Sequence, residues 1–99
     1  MHVIPRKTLR EFYRRPGCED AKGPLETWFY EAKHADWRSP ADIKAKFRSA
    51  SFLKDNRVAF NIGGNKYRLV VKINYPTKTV FIRFVGTHKE YDQVDAEVI

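Results

Sequence analysis

The chain has a single cysteine, Cys18, in 99 residues, which excludes an intrachain disulfide and fits a reducing compartment better than an oxidising one. No side chain near it in sequence is suited to activating a thiol, so a structural role is expected for Cys18. Long apolar runs are also missing: no window approaches the ~20 residues of a membrane span, and Met1-His2-Val3-Ile4-Pro5-Arg6-Lys7 lacks the core of a signal segment. A cytoplasmic protein with no membrane partner is the expectation. Metal-ligand spacing is absent as well. His2, His34 and His88 are scattered, with no Cys-x-x-Cys, His-x-x-x-His or paired acids beside them, and there is no Gly-x-x-x-x-Gly-Lys phosphate loop. The sequence therefore predicts neither a metal nor a cofactor. Acidic residues are in short supply, 12 against 19 Lys plus Arg, for a formal net charge of +7. Such an excess favours polyanions, RNA or DNA first, although a basic balance can also serve only to keep a small protein dispersed.

What is present is enough for one modest core, so a single domain over residues 1–99 is expected. Most of the β-branched and aromatic residues fall between Arg57 and Asp92. Val58, Phe60 and Ile62 alternate with Arg57, Ala59 and Asn61, and Gly63-Gly64 then supplies two residues free to take positive φ in a hairpin. Tyr67, Leu69, Val71, Ile73 and Tyr75 share one face of a second strand, with Arg68, Val70, Lys72 and Asn74 on the other, until Pro76-Thr77-Lys78 breaks the run. Thr79 to Val85 is apolar on both faces except at Arg83, the pattern of an interior strand. It opens into a polar cluster, Gly86-Thr87-His88-Lys89-Glu90-Tyr91-Asp92.

Ahead of this region, His2-Val3-Ile4 predicts a brief strand able to join the sheet. Leu9, Phe12 and Tyr13 mark a short helix ending near Arg15, before Pro16-Gly17; Thr8-x-x-Glu11 resembles a capping box, although Pro5 at a first helical position would start the helix earlier. Ala21, Leu25, Trp28, Phe29 and Ala32 form the stripe of a main helix from about Glu19 to Ala35, which must kink or begin at Gly23-Pro24. At helical spacing, Trp28 and Phe29 read as core rather than as a base-stacking platform. Ser39-Pro40-x-Asp42 predicts a hydroxyl-capped short helix, with Ile43 and Phe47 inward, followed by an Asp55-Asn56 turn. The layout is α+β, with helices packed on one face of a mainly antiparallel sheet.

If the favoured polyanion were an RNA cut without a metal, the chain would have to supply a base for the 2′-hydroxyl, a cation for the charged phosphorane and an acid for the departing 5′-oxygen. Arg68 is placed to grip a phosphate through its bidentate fork, or is simply a solvated strand residue. His88 is the histidine of the polar cluster, a side-chain type able to exchange protons near neutrality, and packing at a strand end is its other reading. Tyr91 reads either as a reacting phenol or as a core aromatic, and Asp92 also reads as a cap for a turn. Lys89 adds a charge beside them. Lys54 and Lys66 are candidates for phosphate or ribosomal-RNA contact, and Arg83 for phosphate contact or a structural ion pair.

Two separated motifs, Asn61-x-Gly63-Gly64-Asn65 and Thr87-His88-x-Glu90-Tyr91-Asp92, with the weaker Trp37-x-Ser39-Pro40-x-Asp42, resemble the HigB family of toxins from bacterial toxin–antitoxin pairs, a branch of the RelE-like mRNA interferases. The resemblance extends over most of the chain. It implies a RelE-like fold, ribosome-dependent cleavage of mRNA, and neutralisation by a cognate helix-turn-helix antitoxin of the HigA type. It also aligns Arg68 and the exit from His88 through Lys89 and Tyr91 to Asp92 with the region where these toxins hold their RNA-cleaving residues; Asp92 is taken as an RNA contact beside Lys54, Lys66 and Arg83, which the resemblance does not itself assign. Many RelE-like toxins carry an arginine near the place of His88. A non-catalytic RNA- or ribosome-binding module of the same fold is the alternative, and an interaction subunit facing an acidic partner is a third reading.

Overall fold

Short strands leave their backbone groups unsatisfied until they pair, and in the computed structural model, which describes residues 1–99, five strands do so in one sheet. In chain order the elements are β1 (His2–Ile4), α1 (Arg6–Tyr13), α2 (Lys22–His34), α3 (Pro40–Lys46), β2 (Ser51–Phe52), β3 (Arg57–Ile62), β4 (Tyr67–Asn74), β5 (Thr79–Thr87) and α4 (His88–Tyr91). The sheet order is β1-β5-β4-β3-β2. β2 to β5 form an antiparallel meander, while β1 joins β5 in parallel, Val3 opposite Val80. The architecture is α+β, as the sequence predicts.

Turn chemistry sets the meander's register. Gly63 and Gly64 both take positive φ, 62° and 69°, and Lys66 N–H closes the loop on the Gly63 carbonyl at 3.3 Å. Asp55 and Asn56 also adopt left-handed backbone, φ 55° and 60°, which their short polar side chains tolerate. These turns put Asn61 opposite Arg68 and Arg68 opposite Gly86.

Alternation then divides the sheet by face. Val58, Phe60, Ile62, Tyr67, Leu69, Val71, Ile73, Val80 and Ile82 point to one side and bury against Leu9, Phe12, Leu25, Trp28 and Ile43 of α1, α2 and α3. Phe60 is the hub of this core, its ring 5.4 Å from Trp28, 5.1 Å from Phe47 and 6.3 Å from Trp37. Trp28 is accordingly core, and Cys18 is buried with it. On the other side Ala59 and Val70 meet Ala96, with Leu53, Phe84, Tyr91 and Ile99 around them. The chain after β5 thus covers part of the second face, which the expectation of a sheet layered on one side did not include.

Other details depart from the sequence reading. A 3-10 turn, Glu19–Ala21, precedes α2, so Pro24 lies in the first helical turn, where its missing N–H breaks no helical bond. Of the two starts open to α1, the earlier one is used: Thr8 lies inside the helix, and Pro5 occupies the cap position, one residue ahead of the first helical position expected for it. Ser39 does occupy the cap position of α3, but its hydroxyl makes no capping bond; the Asp42 carboxylate instead accepts from Arg38 N–H at 2.9 Å. A bulge between Val70 and Val71 pairs these residues with Phe84 and Ile82, so Arg83 has no opposite residue. Arg83 is exposed for that reason, and no carboxylate lies within ion-pair distance of it. The expected choice of a structural ion pair at a buried strand position does not occur.

Candidate functional site

Arg68 projects from the middle of the sheet on the face turned away from α1, α2 and α3. Asn61, directly across on β3, accepts from Arg68 Nη1 at 2.6 Å and fixes one edge of the guanidinium. Gly86 lies across on β5, covered by the Phe84 ring: a Cβ there would stand 2.6 Å from Phe84 Cζ. The Tyr91 ring lies under the guanidinium, its centroid 4.5 Å from Arg68 Cζ, close enough for a cation–π contact. Arg68 Nε is buried without a hydrogen-bond partner. Such orphaned donors are uncommon in folded proteins and call for an explanation.

His88 begins α4, and its ring centroid is 6.4 Å from that of Tyr91. Its Nε2 is likewise buried without a partner. The strand exit is not an open loop, because Thr87 and Glu90 form a reciprocal capping box: Glu90 N–H donates to Thr87 Oγ1 at 3.1 Å and Thr87 N–H to Glu90 Oε1 at 3.0 Å. Arg15, just past α1, adds bonds of 3.3 and 3.4 Å to the two Glu90 oxygens. The Thr87 backbone N–H first, and then the Arg15 guanidinium, hold the Glu90 carboxyl below its ordinary range. One helical turn is thereby clamped at both ends of Glu90, and the turn orients His88 and Tyr91.

Arg68, His88 and Tyr91 therefore come together. Lys89 is on the same turn, exposed and without a carboxylate partner, and Asp92 follows at its C-terminal cap, also exposed. Lys54 is exposed at the turn between β2 and β3. Lys66 pairs with Asp20, which also accepts from the Tyr67 hydroxyl. The bonds from Lys66 and Tyr67 lower the Asp20 carboxyl, and the Asp20 bond raises the Tyr67 phenol. Arg83 lies farther along the sheet, over the Phe81 ring at 5.8 Å. Asn61, Gly86, Glu90 and Arg15 were not singled out from the sequence as site residues. Asn61 had a signal, being the first residue of the hairpin motif that contains Gly63-Gly64. No group of three or more His, Cys, Asp or Glu side chains is placed to hold a metal ion. A fixed guanidinium with a free donor, beside an imidazole and a phenol, is instead equipped to grip an anion and exchange protons at its edge.

Helices thus pack on one face of a mostly antiparallel sheet, and a basic and aromatic cluster gathers on the other. Residues 21–94, a span that includes Arg68, His88 and Tyr91, match the model of the HigB toxin family, described as the RelE-like toxic component of a toxin-antitoxin system, and the chain belongs to that family. An antitoxin is therefore its counterpart. The chain is similar to the mRNA interferase toxin HigB of Escherichia coli (strain K12), 32% identical over 94 residues that cover 93% of this chain and 88% of the relative. The mRNA interferase HigB of Shigella flexneri gives the same figures, 32% over 94 residues, and that of Escherichia coli O6:H1 is 26% identical over 96 residues, covering 95% and 91%.

Proposed function

We propose that the chain, acting as one unit over residues 1–99, is a cytoplasmic mRNA endoribonuclease that cuts messages on the ribosome without a metal and is held inactive by a helix-turn-helix antitoxin of the HigA type. The observation that carries this reading is the convergence of Arg68 and His88, each with a nitrogen that has no hydrogen-bond partner, Nε and Nε2, around the Tyr91 ring. Asn61 takes up Arg68 Nη1, while Nη2 makes no hydrogen bond within the chain and is not buried, so that edge of the guanidinium is left for a bound phosphodiester. Arg68 holds the phosphate and offsets the charge that builds on its oxygens. His88 and Tyr91 divide the two proton transfers: one removes the 2′-hydroxyl proton as that oxygen attacks phosphorus, the other protonates the 5′-oxygen as its bond to phosphorus breaks. The products are a 2′,3′-cyclic phosphate and a free 5′-hydroxyl. Lys89 adds positive charge to the approach, and Lys54, Lys66, Arg83 and Asp92 contact the RNA on either side.

The relatives' description as mRNA interferases supports this assignment. Induced expression followed by primer extension tests it: growth arrests and new 5′ ends appear inside translated codons. Intact messages during arrest, with the protein bound to ribosomes, would replace it with the non-catalytic ribosome-binding reading.

A further inference from the structure

Past Arg68 toward the other end of β4, the same sheet face opens into a cleft of about 490 Å³ in which Lys72, Asn74, Phe81, Arg83 and Asn56 converge. It lies outside the cluster described above. Lys72 is four positions from Arg68 along the strand, which is ~13 Å at the rise of a β-strand. Neither Lys72 nor Arg83 has a carboxylate within ion-pair distance, and no acidic side chain lines the cleft. Phe81 is half-buried beneath Arg83, whose guanidinium carbon is 5.8 Å from the ring centroid. The Asn74 side-chain oxygen accepts from Thr77 N–H at 3.2 Å, which leaves its amide group free to donate. Two positions from Phe81 along β5, Arg83 shares its face of the strand, and the bulge leaves it without an opposite residue on β4.

From this combination we propose that the cleft is a nucleotide subsite, which takes one base and phosphate of a single-stranded RNA whose scissile phosphate sits at Arg68. The proposal rests on the RNA-cleaving reading for the source of its ligand. A ring flanked by an unpaired guanidinium is a stacking platform for a splayed base, Lys72 and Arg83 supply its phosphate with cations, and Asn74 and Asn56 offer amides to the base edge. A duplex keeps its bases stacked inside and has none to place on Phe81. An acidic peptide would use the two cations and leave the ring and the amides idle. The span to Arg68 makes the subsite a reader of sequence away from the cut, so base preference there is set by Asn74 and Asn56.

Nuclear magnetic resonance on the isotopically labelled full chain, carrying His88→Gln so that it can be produced, tests the subsite without any cleavage. The probes are the four ribonucleoside 5′-monophosphates and ribose 5-phosphate at millimolar concentration. The nucleotides should shift the amide signals of Lys72, Asn74, Phe81 and Arg83, and ribose 5-phosphate should do so at least several-fold more weakly. Phe81→Ala should weaken nucleotide binding about tenfold, the scale of one lost base–aromatic stack, and Phe81→Leu, which retains the apolar packing, should weaken it too. Lys72→Ala and Arg83→Ala should weaken both ligand types. Absence of shifts in the cleft overturns the proposal, and equal shifts from ribose 5-phosphate would reduce it to a plain anion patch. Nucleotide binding by a protein that cuts no message would leave the subsite standing while the nuclease reading fell; cleavage without such binding would do the reverse.

Discussion

Asn61 and Gly86 flank Arg68 across the sheet and act differently: Asn61 accepts from the guanidinium, while Gly86, by having no side chain, leaves room for the Phe84 ring. Gly86→Ala would drive a methyl group into the Phe84 ring, 2.6 Å away, and should cost about 1–3 kcal/mol as an overpacked site; calorimetric Tm of the variant checks it. His88→Gln should lower single-turnover cleavage on programmed ribosomes by about 10², with ribosome affinity and antitoxin binding near wild type. Near-wild-type cleavage in that variant, with Tyr91→Phe or Lys89→Ala inert, would move proton transfer to those neighbours. Arg68→Ala should slow cleavage and weaken binding together, because a phosphate clamp acts before and during the reaction. His88 and Tyr91 could be singled out in the sequence because they stand in one compact motif, and Arg68 because it is the arginine on the polar face of the long strand. Asn61 became legible as Arg68's partner only once the loop length fixed the register, and no sequence pattern encodes the rotamer of Phe84 that makes Gly86 necessary.

Turns and apolar alternation made β3, β4 and β5 readable, and both glycines of the hairpin are used as the sequence required. Two elements escaped. α4 has only four residues, too few for a periodic signal, yet Thr87-x-x-Glu90 is itself a capping-box pattern and could have revealed it. The bulge at Arg83 was hidden because a strand apolar on both faces gives no alternation for an extra residue to interrupt. The capping box also makes α4 sensitive to acid. Glu90 has a depressed folded value, so its contribution is complete above its ordinary value of 4.5 and is lost as pH falls through the folded value below that. Hydrogen exchange extrapolated to a common pH should show Thr87 to Tyr91 losing protection below about pH 4.5 while the amides of β4 keep theirs. Thr87→Ala should produce that local loosening at neutral pH, by about 1 kcal/mol.

Across the whole molecule, the two faces of the sheet carry different burdens. The helical side supplies stability through Phe60 and its aromatic neighbours, and Phe60→Ala should cost about 3–5 kcal/mol, read by denaturant unfolding. The net charge of +7 should make RNA or ribosome binding fall steeply with salt. Lys7, Arg15, Lys46 and Lys66 are already engaged by Glu11, Glu90, Glu31 and Asp20, so alanine at Arg10, Arg14, Arg48 or Lys54, which pair with no carboxylate, should flatten the salt slope more. Binding that is level from low to physiological salt would point to an apolar partner surface. Composition made the charge legible, but only the fold shows which cations are free.

Arg15 lies over the Phe12 ring of α1 and also holds the turn that carries His88, so a single cation is shared between two surfaces. An acidic body that seats on α1 and captures that guanidinium need not touch the cleavage cluster to be felt there. It removes from Glu90 the about 0.2–1 kcal/mol of an exposed ion pair, leaving the backbone of Thr87 as the remaining tether, and the grip on one side of the molecule is exchanged for slack on the other.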